Sequence, residues 1–149
     1  MDNTFIPYDK ALSILAEHKS DFPIVSKPLE RCVGTYLAED LSADRDFPPF
    51  DRVTMDGIAI NFSTFEKGQR NFKIEAVAPA GTPQKTLENP QNCIEVMTGA
   101  IMPNGVDTVI RYEDLQIENA IATIQLNSLN HKQNVHFKGM DIARGTCIV

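Results

Sequence analysis

The chain has 149 residues, 42% hydrophobic and 23% charged, with a formal net charge of −6. That length suits one ordinary domain or two small ones, and the composition is that of a soluble globular protein able to bury a core. An acidic balance excludes broad binding of a phosphate backbone, which needs clustered Lys and Arg, so no nucleic-acid partner is expected.

In chain order, the first predicted element is a helix over residues 8–19, with Tyr8, Ala11, Leu12 and Leu15 on one face at helical spacing. Pro7 suits its first turn and Asp9 its positive end, while His18 stands where a side chain caps a helix C-terminus. Leu29, Cys32, Val33, Tyr36 and Leu37 repeat the spacing, so a short helix weakened by Gly34 is expected there.

After Pro48-Pro49 the period changes to that of strands. Ile58/Ile60/Phe62, Phe72/Ile74/Ala76, Ile94/Val96, Val109-Ile110, Leu115/Ile117 and residues 121–126 read as short strands. Pro79-Ala80-Gly81-Thr82-Pro83, Glu88-Asn89-Pro90 and Pro103-Asn104-Gly105 separate them, and Glu118-Asn119 reads as a hairpin tip. Val135-His136-Phe137 alternates before Gly139, and Ala143-Arg144-Gly145 makes another turn. Residues 48–128 thus form a compact, mostly β unit. The flanks, 22–47 and 129–149, are expected to pair with one another, making that unit an insertion. The predicted fold class is mostly β with α, an α+β protein.

No apolar run approaches the ~18 residues of a membrane span, and no basic stretch precedes an apolar one at the N-terminus, so neither membrane nor signal peptide is expected. Cys32, Cys93 and Cys147 are odd in number and widely spaced without a CxxC. Reduced thiols in a cytoplasmic protein are the reading, rather than a disulfide framework or zinc site. Acidic residues from Glu39 to Asp56 form either a solvated face or an edge that holds a cation. His131, Lys132, His136, Lys138 and Arg144 make a basic group that suits either an anion or a solvated strand face.

Three loops are candidate sites. In Met55-Asp56-Gly57 the carboxylate either shapes a turn by accepting backbone N–H groups or does chemistry. Asp51 has the same ambiguity after the Pro-Pro corner. In Met97-Thr98-Gly99-Ala100 a strand delivers Thr98 to a small-residue loop, where its hydroxyl and nearby N–H groups suit an oxyanion; the alternative is an ordinary strand exit. In Lys138-Gly139-Met140-Asp141 the aspartate is a turn former or a carboxylate facing a cleft.

Taken together and in order, FPPFDRVTMDGIAI, PAGTP, IEVMTGAIMPNGVDTVIRYED and NVHFKGMDIARG resemble the N-terminal part of the MoeA/gephyrin E-type molybdopterin molybdenumtransferases. The resemblance covers nearly the whole chain, including the opening helix. Departures are Thr54, Ile58, Val106 and, most consequentially, Met140, where an acidic residue usually precedes Asp141. The resemblance implies insertion of molybdate into adenylylated molybdopterin with release of AMP, assisted by Mg2+. It assigns Asp56 as the catalytic carboxylate and possible Mg2+ ligand, and Thr98, Gly99 and Asp141 as substrate-binding. It further implies an N-terminal helix over 1–21 that docks on a domain beyond this chain, a β-ribbon domain from 22–47 plus 129–149, and an inserted β-barrel-like domain over 48–128. The expected partners are the remaining domains of a longer enzyme and a second subunit of a homodimer. The chain is accordingly expected to be an N-terminal fragment, inactive alone. The alternative is a non-catalytic β module that binds a partner or scaffolds assembly.

Overall fold

The structure is a computed structural model that describes residues 5–20 and 22–149, so both ends of the 1–21 segment, residues 1–4 and 21, lie outside the described residues. The chain divides into two compact units, Met1–Asp40 and Leu41–Val149.

In the first unit, α1 spans Tyr8–Glu17, with Pro7 at its N-cap. His18 closes it: its backbone N–H and its Nδ1 both donate to the Ile14 carbonyl, at 3.2 and 2.8 Å. The predicted second helix shrinks to one 3₁₀ turn, Leu29–Arg31. Cys32 N–H caps it onto Leu29, and Gly34 takes a left-handed φ of +79° that ends any helix. With none of these residues buried, no packing energy offsets the low helical propensity.

The second unit contains strands β1 (Arg52–Val53), β2 (Gly57–Ile60), β3 (Asn71–Ala78), β4 (Cys93–Val96), β5 (Thr108–Arg111), β6 (Leu115–Glu118), β7 (Ile121–Ile124) and β8 (Val135–His136). Six of them form one sheet curled into half a barrel, in the order β5-β2-β4-β3-β7-β6. Only β3 and β4 run parallel; every other pair is antiparallel. The α+β class, dominated by strands, is as expected.

The central strands are buried on both faces: all of GIAI and the first three residues of TVIR are buried, Thr108 among them. Ile58, Ile60, Phe72, Cys93, Ile110, Ala122 and Ile124 pack on one side. Val53, Ala59, Ile94, Val96, Met102 and Val109 pack on the other. Each fully buried Ile or Val is worth about 1.5–3 kcal/mol relative to exposure. Burial pushes the Cys93 thiol up to about 12, helped by Glu75 and Glu95, so it stays a neutral apolar filler.

Two local differences from expectation have plain causes. Phe62 does not extend β2 but opens α2 (Phe62–Glu66), because the Asn61 side chain accepts the Ser63 N–H at 3.1 Å and caps a helix. Strand β7 stops at Ile124, short of Leu126. The hairpin tip between β6 and β7 has φ of +50° at Asn119 and +60° at Ala120, the two positive values of a type I′ turn.

Strand β1 is a small strut outside the large sheet. It pairs with β8, Arg52 opposite His136 and Val53 opposite Val135. Its other edge holds the 99–102 loop: Val53 N–H donates to the Ala100 carbonyl at 3.0 Å, and Gly99 N–H to the Val53 carbonyl at 2.9 Å. Farther along, segments 41–47 and 142–149 join through bridges Ser42–Cys147 and Phe47–Ile142.

Candidate functional site

The Met55-Asp56-Gly57 turn is set by steric need at its glycine. A Cβ on Gly57 would lie 1.9 Å from the Ile110 carbonyl oxygen and 2.8 Å from the Arg111 Cα, both backbone atoms of β5. Only glycine lets β2 approach β5 this closely, with the Tyr112 N–H donating to the Asp56 carbonyl at 3.1 Å. Asp56 is thereby fixed at the mouth of the sheet, exposed, immediately before a buried strand.

Strand β4 delivers Thr98 to the same place. The Thr98 N–H donates to Asp56 Oδ1 at 2.6 Å, and its hydroxyl donates to the same oxygen at 2.7 Å. These two bonds, the backbone one first, hold the Asp56 carboxyl below its ordinary range, so it is ionised at neutral pH. Oδ2 of Asp56 accepts no hydrogen bond among the described residues. One oxygen of Asp56 therefore organises the Thr98 loop rather than its own turn, and the other accepts nothing from the described residues.

The MTGA loop differs from the anion cradle that its small residues suggested. Thr98 N–H is spent on Asp56, Gly99 N–H on Val53, and Ala100 N–H on the Met97 carbonyl at 3.0 Å. None of the three remains to bind an oxyanion. Gly99 serves the turn through a φ of +88°, and a Cβ there would sit in ordinary contact with the Ala80 Cβ, at 3.6 Å.

Asp141 sits elsewhere, across β1. Its Oδ1 accepts from His136 Nε2 at 2.8 Å, and its N–H donates to the Phe47 carbonyl at 2.9 Å. No hydrogen bond joins it to Asp56 or Thr98 among the described residues; β1 is what both segments lean on. Asp51 is a long-range tie, its Oδ1 accepting the Lys138 N–H at 2.8 Å, 87 residues away. Asp46 does the same for Arg144, and that N–H is the main reason its carboxyl sits low, with Lys138 adding to it against some desolvation.

The basic group is largely paired with acids or aromatic faces. His131 contacts Asp107 at 3.1 Å and stacks on Phe62, Lys138 lies 3.5 Å from Asp46, and Lys132 sits over the Phe137 ring.

Sequence reasoning missed one pair near Asp56. The Tyr112 hydroxyl donates to Glu95, a half-buried carboxylate in the middle of β4. Burial, then the hydrogen bond and the charge of Glu95, then that of Asp56 push the Tyr112 hydroxyl up to about 12, so it remains a donor. The available signal was Glu95 itself, a charged residue inside the apolar run CIEV.

A metal ligand set of three or more His, Cys, Asp or Glu does not occur among the described residues. Asp56 Oδ2 alone fits a hard cation such as Mg2+, which accepts one or two protein carboxylates and takes its other ligands from water and substrate phosphate. A groove of about 530 Å³, lined by Pro49, Phe50, Asp51, Met102, Pro103 and Lys138 among others, does not include Asp56, Thr98 or Asp141.

Known proteins resemble this chain over nearly all of its length. The family described as MoeA N-terminal region (domain I and II) matches residues 6–149. A molybdopterin molybdenumtransferase of Synechocystis sp. is 40% identical over 144 residues, 93% of this chain and 36% of that protein. One from Staphylococcus aureus is 30% identical over 149 residues, 97% of this chain and 35% of that protein. Two solved structures of the molybdopterin biosynthesis MoeA protein from Pyrococcus horikoshii superpose with TM-scores of 0.82 and 0.76 at 29% identity. They cover 98% of this chain and 40% and 38% of theirs. The chain thus spans just over a third of the length of the curated relatives it matches, and it belongs to the MoeA family, as that family's N-terminal region.

Proposed function

We propose that this chain supplies the Asp56 side of the site at which a molybdopterin molybdenumtransferase inserts molybdate into adenylylated molybdopterin and releases AMP. The observation that carries the reading is the double hydrogen bond from Thr98 to one oxygen of Asp56, which leaves an ionised, rigid carboxylate with its other oxygen exposed. A carboxylate held this way needs little reorganisation on meeting a cation or an attacking water. Mg2+ bound at Asp56 Oδ2 would supply charge neutralisation beside the substrate phosphates.

The hydroxyl of Thr98 is committed as a donor, so it meets substrate through its lone pairs. That suits a pterin N–H or an ordered water better than a phosphate oxygen. Gly99 lets the loop turn at a φ of +88° directly beside Thr98. Asp141 contributes its Oδ2, which accepts nothing among the described residues.

Partners in this reading are the rest of a protein of the relatives' length and a second subunit, acting in the cytoplasm. The domain division is a β module over 48–128 inserted into a ribbon built from both flanks, with the opening helix docked elsewhere. Among the described residues no helix is long and apolar enough to cross a membrane.

The test is Asp56→Asn in a full-length protein carrying this chain, with AMP release and molybdate insertion as readouts. A fall of about 100-fold is expected on removing the charge at such a position. Unchanged turnover would sink the assignment and favour a binding or scaffolding role for the β module.

A further inference from the structure

Arg52, His136 and Asp141 form a continuous hydrogen-bonded chain across the β1–β8 pair. Arg52 Nη2 lies 3.1 Å from His136 Nδ1, and His136 Nε2 lies 2.8 Å from Asp141 Oδ1. A guanidinium has donors only, so Nδ1 must be the acceptor and carries no proton. The ring proton then sits on Nε2 and is donated to Asp141.

We propose that His136 is a positioning residue for Asp141, a neutral Nε2–H bracket that ties the Asp141 carboxylate to Arg52 on the strand leading to Asp56. The proposal rests on the reading that Asp141 contacts substrate. The Asp141 backbone is tied to Phe47, but its side chain is 56% exposed, so the carboxylate has little besides His136 to orient it. His136 is only 23% exposed and stands directly opposite Arg52 in the strand pair. The ring is therefore already immobilised before it reaches Asp141, and its hydrogen bond orders the carboxylate at little added entropic cost. Arg52 selects the tautomer, since an Nδ1–H ring would set donor against donor. With Oδ1 occupied, Oδ2 is presented in one direction rather than swept over several rotamers.

Two measurements test this. Long-range ¹⁵N correlation spectra of the labelled chain are expected to show Nδ1 unprotonated and Nε2 protonated at His136; the opposite tautomer overturns the bracket. In a full-length protein carrying this chain, His136→Phe keeps the ring but removes both polar atoms, and the KM for adenylylated molybdopterin is expected to rise about tenfold. His136→Gln can accept from Arg52 and donate to Asp141 together, and is expected to return KM to within about threefold of the parent. Equal losses in the two variants overturn the positioning role. Asp141→Asn separates the two ideas: unchanged kinetics there overturn the substrate contact, while the tautomer spectrum still decides the bracket.

Discussion

Met1–Asp40 and Leu41–Val149 both carry many apolar side chains, but among the described residues only the second buries any of them fully. Every buried hydrophobic residue among the described ones, from Ala43 to Ile124, belongs to Leu41–Val149. In the first unit Phe22, Val33 and Tyr36 are 84%, 91% and 99% exposed. Its helix has ten residues, shorter than the ~12–15 at which isolated helices become even marginally stable in water. The difference teaches that apolar content alone does not stabilise; a sheet with two faces supplies the partners that a lone helix lacks. The candidate site follows the same division, since Asp56, Thr98 and Asp141 all hang from the buried sheet and its strut.

The comparison can be broken or sharpened by substitution. The largest effect is expected from Phe72→Ala, which empties the centre of one core and should cost about 3–5 kcal/mol in urea unfolding followed by far-UV circular dichroism. A loss below ~1 kcal/mol would mean that this core is not what holds the sheet. Gly57→Ala comes next, at about 3 kcal/mol, because β2 must separate from β5 to admit the methyl group. A variant as stable as the parent would show that the Ile110 carbonyl yields freely.

Acid sensitivity is a smaller effect with a definite sign. Asp56, Asp46 and Glu75 all titrate below their ordinary values when folded. For Glu75, burial opposes the shift, and the Asn92 side chain with the N–H groups of Glu88 and Asn89 outweighs it. Unfolded carboxyls titrate near ~4, so this stabilisation is complete above that value and is lost as pH falls through the lower folded values. Leu41–Val149 should lose stability steadily below pH ~4, and Asp56→Asn should flatten part of that slope. An unchanged slope in the variant would remove Asp56 from the linkage. The smallest effect is expected from Val33→Ala, within about 0.5 kcal/mol, because the side chain touches little that folding buries. A cost above ~1 kcal/mol would reveal packing that exposure conceals.

Much of this was legible along the chain. Period-two runs and turn residues placed the strands of the sheet, and Asp-Gly marked the Asp56 turn, because both signals depend on neighbours within a few residues. Asn61 was harder to read: its cap overrode the strand-like Phe62 by a side-chain hydrogen bond that composition does not show. The Leu29–Leu37 spacing suggested a helix that its surroundings do not support. His136 looked like one member of a loose basic group, and nothing local revealed that Arg52, 84 residues away, would select its tautomer.

What the sequence determined by itself is the class of the fold and the positions of its turns. Those follow from residue chemistry acting over one turn or one strand. Only the tertiary structure decided how the loops are used. Thr98 reaches Asp56 across 42 residues, spends its donors on one oxygen and leaves the other exposed. Gly57 became obligatory only once β5 lay against β2. The physical reason is common to both: hydrogen-bond partners and steric clashes belong to distances in space, which the order of residues does not specify until the sheet has closed.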